Sequence, residues 1–235
     1  MNCITASCRI SDYSVYRNGQ LLFENKKTDL SKKVDLPEKT DLPGFLLSVY
    51  QHLHVNYPKF YKMDNLSKLG WVAAEILLKE DFSPGFYKPQ EVGLSLANAN
   101  SSLDTDLKYY ETVKEIPSPA LFVYTLPNIM IGEICIRNNF KGESAFFVSP
   151  QFDAGFMENT VNYLLDNDIL KACICGWVDL LGGEYKAVLY LVEKDGASAP
   201  QNSGDPGGAA AARGSGGLPF TTTTIHQIFQ GENGQ

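Results

Sequence analysis

The sequence predicts an α/β fold, a mixed sheet of about five strands with helices on its faces. Segments of strand character alternate along most of the chain with segments whose apolar residues recur at helical spacing, the pattern of layered α/β domains. The chain's 235 residues, 44% of them hydrophobic, suffice for one sizeable core and one main domain.

The elements follow in order. "NCITASCRI" near the N-terminus reads as a first strand. A polar stretch from Asn25 to Lys39, with Lys26, Lys27, Lys32 and Lys33, reads as a solvated loop. "FLLSVYQHL" and "SKLGWVAAEILLKE" carry apolar residues at helical spacing, and Asn65 or Ser67 suits the N-cap of the second. "EVGLSLAN", Glu91 to Asn98, is the next strand. "LFVYTLPNIMIGEICIRN" follows Pro119 and contains Pro127, so a short lead-in precedes a helix from about Asn128, apolar enough to expect burial on most sides. "KGESAFFVSPQFDAGFMENTVNYLL" then reads as a glycine turn, a buried strand ending near Val148 and a helix opening after Pro150. Gln151 stands at the apex of this strand-to-helix elbow, the usual seat of a nucleophile. "ILKACICGWVDLL" and "KAVLYLVEK", short, apolar and rich in β-branched or aromatic residues, supply two further strands.

This rhythm divides the chain into a folded domain over residues 1–195, a linker over 196–217 and a C-terminal segment over 218–235. "GASAPQNSGDPGGAAAARGSGG" has almost no large apolar side chain, so burial does not offset its ordering entropy. Beyond it, the β-branched run in "LPFTTTTIHQIF" suggests an edge strand, with a frayed tail after it.

Composition excludes several function classes. A formal charge of -7 gives no footprint for nucleic acid. No apolar run approaches the roughly 20 residues of a spanning helix, so no membrane role is expected. Cys3, Cys8, Cys135, Cys173 and Cys175 lack zinc-type spacing, and the chain reads as cytoplasmic and reduced. Phosphate-loop, dinucleotide, serine-elbow and zinc-protease motifs are absent from the sequence, and no cofactor or metal is expected.

From "SPALFVYTLPNIM" through "GESAFFVSPQFDAGF" to "ACICGWVDLL" the sequence resembles the first half of a β-ketoacyl synthase, a thiolase-fold condensing enzyme of fatty-acid and polyketide synthesis. The family pattern places an Asn and a Gly four apart in the dimer-interface helix. A Gly follows ten later, the nucleophilic Cys nine after that, and a strand-ending Gly twenty-five further on. Those positions are Asn128, Gly132, Gly142, Gln151 and Gly176. "KMDNLSKLGWVAAEILLKE" and "GLSLANANSSLD" resemble the family's early helix and the strand and loop after it. The likeness covers residues 1–195, most specifically 66–192, and implies a thiolase-like half-fold.

Two departures from the pattern carry the functional reading. Gln151 replaces the nucleophile, and a carboxamide nitrogen has neither the nucleophilicity nor the ionisation that covalent acyl transfer needs. Ketosynthases are also about twice as long and draw catalytic His and Lys from their second half, whereas the 84 residues beyond Gln151 here include a single histidine, His226. Gln at this position characterises chain-length factors, the non-condensing partners of active ketosynthases, and short subunits of this kind accompany aryl-polyene-type pathways. The resemblance therefore implies a hetero-oligomer with an active β-ketoacyl synthase, and indirect contact with acyl carrier protein. In it the strand Ala145, Phe146, Phe147 and Val148 pairs with its counterpart, and the helix bearing Asn128 and Gly132 completes the interface. The loop "ANSSLDTDLKYYETV" would reach the partner's acyl tunnel, where Leu107 and Tyr110 would limit chain growth.

Each residue also has a plainer reading. Gln151 would be an ordinary residue at a helix N-terminus, and Gly132 and Gly142 would be close-packing and turn residues. Cys173 and Cys175 share a strand face as core residues. His52 and His54 lack a third ligand, and Asp179 and Glu184 flank a Gly-Gly turn. Lys59, Lys62 and Lys68 would attract an acidic carrier protein. Two rival functions stand beside the first: a Gln-type malonyl carrier protein decarboxylase, which needs histidine donors near the elbow, and a thiolase-fold scaffold without a pathway role.

Overall fold

The computed structural model describes residues 1–25, 41–79, 82, 85–194 and 217–232. The five strands expected from the sequence form one contiguous run of its sheet. They are β1 (Asn2–Ser11), β4 (Val92–Asn98), β5 (Ser144–Val148), β6 (Ala172–Leu181) and β7 (Glu184–Lys194). The sheet nevertheless has eight strands. A hairpin of β2 (Ser14–Arg17) and β3 (Gln20–Glu24) extends it beyond β1, and the two-residue β8 (Leu218–Pro219) also pairs with β1. The order is β3-β2-β1-β7-β6-β4-β5, with β4 parallel to β5 and β6 and the remaining pairs antiparallel.

Strand alternation divides the core into two layers, since successive side chains point to opposite faces. Ile174, Val178, Leu189 and Leu191 face α1 (Leu42–His52), α2 (Asn65–Leu78) and α5 (Ile129–Asn138). Cys173, Cys175, Val188 and Tyr190 face α6 (Ala154–Asp166) and α7 (Thr222–Gln230). Between these layers in sequence lie α3 (Leu103–Val113) and the single turn α4 (Pro119–Phe122). A register shift between Ile4 and Ala6 explains why Ile4 joins one layer and Ala6 the other.

Several elements differ from expectation. The N-cap of α2 is Asp64, whose carboxylate accepts from Ser67 N at 2.9 Å and from Thr105 Oγ1 at 2.5 Å, so one side chain caps α2 and ties it to α3. The loop after β4 becomes helical at Leu103. Residues 222–230 form a helix where an edge strand was expected. Thr221 caps it by accepting from Thr224 N, and Gly231 closes it in the left-handed conformation, so local capping outweighs the β propensity of the threonines. Phe220 and Ile225 bury this segment on its own chain. Gly176 lies within β6 rather than at its end. The expected linker at 196–217, the Lys26 to Lys33 run and residues 233–235 lie outside the described residues, Gly217 excepted.

Two positions anchor the scaffold. Gly176 has φ +142°, and a Cβ there would overlap the Val188 carbonyl oxygen, so only glycine keeps β6 and β7 this close. Asp179 is more than a turn residue: its carboxylate accepts from Ala99 N at 3.2 Å, Asn100 N at 3.1 Å and Asn100 Nδ2 at 2.8 Å, which fixes the chain as it leaves β4 for α3. Gly176→Ala should lower the unfolding free energy by about 3 kcal/mol or more in denaturant titrations, through strain and backbone overlap together. Asp179→Ala should cost about 2 kcal/mol by leaving part-buried amides without an acceptor, and should speed hydrogen exchange at Ala99 and Asn100 first.

Candidate functional site

The elbow is built from the base of β5. Lys141 N donates to the Pro89 carbonyl at 2.7 Å and Gly142 N to the Val92 carbonyl at 3.0 Å, laying the incoming chain against β4. A Cβ on Gly142 would lie 2.5 Å from the Val92 oxygen and 2.6 Å from Leu170 Cδ2, so this glycine is a close-packing residue. After β5, Ser149 Oγ donates to the Gln151 carbonyl at 2.7 Å, and Asp153 caps α6 by accepting from Phe156 N at 2.9 Å. Gln151 is exposed and lies two residues before that cap, so it is not a helical residue. Its carboxamide donates and accepts hydrogen bonds but has no lone pair basic enough to attack a thioester.

The strand itself is only half-covered, contrary to the buried strand expected, because it is an edge. Leu94 N donates to the Glu143 carbonyl at 3.2 Å, and Ser149 N donates to the Asn98 carbonyl at 3.0 Å. In the evenly spaced pattern of a parallel ladder, the backbone groups of Ala145 and Phe147 therefore turn toward β4, and those of Phe146 and Val148 turn outward. Apolar side chains continue past the edge on both faces. On one face, Phe146 packs with Ile129 and Cys135 of α5 against the core. Burial raises the Cys135 thiol pKa, opposed by its hydrogen bond with Ser144. On the other face, Phe147 meets Phe156 edge-to-face at 4.8 Å.

α5 departs most clearly from expectation. Met130, Ile131, Glu133 and Ile134 are buried, but Ile136 is 66% exposed and a Cβ on Gly132 would meet nothing within 4 Å. Gly132 is therefore not needed for packing within this chain. Gly70 of α2 supplies the close approach instead, because a Cβ there would overlap Met130. Arg137 holds the pair of helices with a fork onto Glu75, at 3.0 and 3.2 Å, beneath the Tyr57 ring. Asn128, at the N-cap of α5, is exposed. α5 and β5 thus form one edge-side surface carrying Asn128, Gly132, Ile136 and the half-covered strand Ala145 to Val148, which is 57% exposed at Val148.

Leu107 and Tyr110 lie on α3, 55% and 64% exposed, in line with Leu103 one turn before. α3 starts at the carboxyl end of β4, the end at which β5 delivers Gln151, since the two strands are parallel. Two of the three histidines are elsewhere. His52 packs on Phe23 of β3 at 5.2 Å, at the opposite edge of the sheet, and His54 follows it. Six strand spacings separate β3 from β5, roughly 29 Å. His226 is exposed on α7, the helix whose Phe229 stacks on Phe152 beside the elbow at 4.4 Å.

The remaining candidates are structural. Lys59 pairs with the buried Glu133 at 2.8 Å, Lys68 lies 5.7 Å from the centre of the Phe60 ring, and Lys62 is exposed. Burial pushes the Cys173 thiol up to about 12 and Cys175 well above its ordinary value. Both thiols are core residues. Among the described residues no cluster of three His, Cys, Asp or Glu side chains is placed to hold a metal, and no single helix is long and apolar enough to cross a membrane. The hold of Asp64 and Asp179 on α3 escaped the sequence reading because the partners concerned lie 41 and about 80 residues away.

No protein-family model matches the chain, and no curated protein matches it. Solved structures do. The ishigamide ketosynthase/chain length factor aligns with a TM-score of 0.54 at 16% identity, over 82% of this chain and 62% of that chain. A type II PKS acyl-carrier protein in complex with its ketosynthase bound to the hexaketide aligns with a TM-score of 0.53 at 15% identity, with the same two coverages. The chain spans less than two thirds of either matched chain. At this identity the likeness is one of fold: the chain has the thiolase-like α/β architecture of ketosynthase and chain-length-factor structures.

Proposed function

We propose that the chain is a non-catalytic, chain-length-factor-like subunit that completes an active β-ketoacyl synthase by pairing strands across β5. The observation that carries this reading is the edge: outward backbone groups at Phe146 and Val148, flanked on both faces by exposed apolar side chains of α5 and α6. An edge strand of this kind favours pairing with a strand from another chain. The fold supports the same reading, and the first of the matched structures is itself described as a ketosynthase/chain length factor. In this assembly Asn128, Gly132, Ala145, Phe146, Phe147 and Val148 form the interface. Leu107 and Tyr110 narrow the partner's acyl tunnel, and carrier protein reaches the complex through the partner. We place the complex in the cytoplasm, in type II polyketide synthesis of the aryl-polyene kind, with residues 1–195 as the ketosynthase-like domain.

Gln151 takes no part in bond making under this proposal. The decarboxylase alternative loses support because His52 and His54 sit by the far sheet edge.

Co-expression with an active ketosynthase of this kind, followed by size exclusion with mass determination and a condensation assay on malonyl carrier protein, tests the reading. A mixed complex required for condensation is expected. Gln151→Ala should leave both the complex and its activity intact. Val148→Pro removes an outward N–H without touching the ladder to β4, so it should weaken the complex by about tenfold or more while leaving the chain folded. Gly132→Leu should do the same by bulk. A chain that stays alone while the ketosynthase works without it would favour the scaffold reading.

A further inference from the structure

On the α7 side of the sheet, at the edge remote from β5, a cleft of about 410 Å³ opens between β1, the β2–β3 hairpin and the C-terminal end of α7. Its floor is polar: Thr5, Arg9, Tyr16 and Asn18 line it, where an uncovered sheet face would more simply carry surface lysines and glutamates. Ile4, Leu218 and Ile228 form an apolar wall. Arg9 is held in place. Its Nη1 donates to Ser11 Oγ at 3.2 Å, and its guanidinium carbon stands 4.1 Å from the centre of the Tyr16 ring. Lys186 lies nearby, its ammonium 3.7 Å from the centre of the Phe229 ring. Its pKa is lowered by burial first and by the charge of Arg9 second, with Asp12 opposing.

Two half-buried cations thus share one corner and rest on aromatic faces. Among the described residues no carboxylate lies within ion-pair distance of either. The carboxylates nearby are Asp12, which acts on Lys186 over a longer range, and Glu232 in the cleft lining. A guanidinium fixed by stacking and one hydrogen bond keeps further N–H donors for a planar or tetrahedral oxyanion. We propose that this cleft binds a small organic oxyanion, a carboxylate or a phosphate monoester with a short apolar body. The head would sit on Arg9 and the body along Ile4, Leu218 and Ile228. The site does not depend on the β5 interface.

Calorimetric titration of the full chain with hexanoate and with hexyl phosphate, each at ionic strength matched with chloride, tests the site. Saturable one-to-one binding is expected for at least one probe, and the ratio of the two affinities says which oxyanion is preferred. Arg9→Gln should weaken binding about tenfold or more, and Glu232→Gln should strengthen it by removing a like charge. Should Arg9→Gln fail a circular-dichroism check of folding, Leu218→Trp, which fills the cleft from an exposed position, should give the same loss. Absence of saturable binding by either probe, or unchanged affinity in Arg9→Gln or Leu218→Trp, would overturn the proposal.

Discussion

A sheet ends in a row of backbone N–H and C=O groups that must find water or another strand, and the two ends of this sheet treat that requirement differently. At one end β3 carries Gln20 and Glu24 and is bent by a register shift in its pairing with β2, features that discourage further pairing. At the other end β5 is "SAFFV", with no charged side chain and an apolar neighbour on each face. Water satisfies the hydrogen bonds of such an edge but not its apolar flanks. Another strand satisfies both.

The rest of the fold holds that edge in place. Glycines at 93, 142 and 176 leave no room for a Cβ, drawing β4, β5, β6 and β7 together, while Gly70 lets α2 and α5 approach until Met130 fills the gap. Arg137 and Glu75 pin α5 from beneath, behind its outer face of Gly132 and Ile136. A preformed surface loses less conformational freedom on association than one that must order itself. Asp64 and Asp179 do the same for α3, so Leu107 and Tyr110 stand on a fixed helix rather than a loop.

Much of this was legible in the sequence, because hydrophobic period reports burial directly. The five strands β1, β4, β5, β6 and β7 and the helices α1, α2, α5 and α6 follow from it. The β2–β3 hairpin was missed although its Asn18-Gly19 turn, both residues at positive φ, carries the usual hairpin signal; its strands are only four and five residues long and partly exposed, and the turn before them, at Asp12 and Tyr13, lacks glycine. α7 escaped because four successive threonines favour strands in isolation, whereas here the first of them caps a helix. The burial expected for α5 and β5 failed for a more informative reason. An apolar residue signals that it will be covered, but not by which chain. α5 and β5 were expected to be buried because their composition is that of core elements, and this chain leaves Ile136 and Val148 exposed.

Strand pairing across β5 turns on backbone groups that alternate along one strand, so the decisive measurement is site-resolved amide hydrogen exchange along β5, for the chain alone and co-expressed with an active ketosynthase. Ala145 and Phe147 should be protected in both states, whereas Phe146 and Val148 should exchange rapidly in the isolated chain and become protected in the mixed complex. Exchange at Phe146 and Val148 that stays equally fast in a stable mixed complex would show that the partner docks elsewhere and that β5 is not the pairing edge.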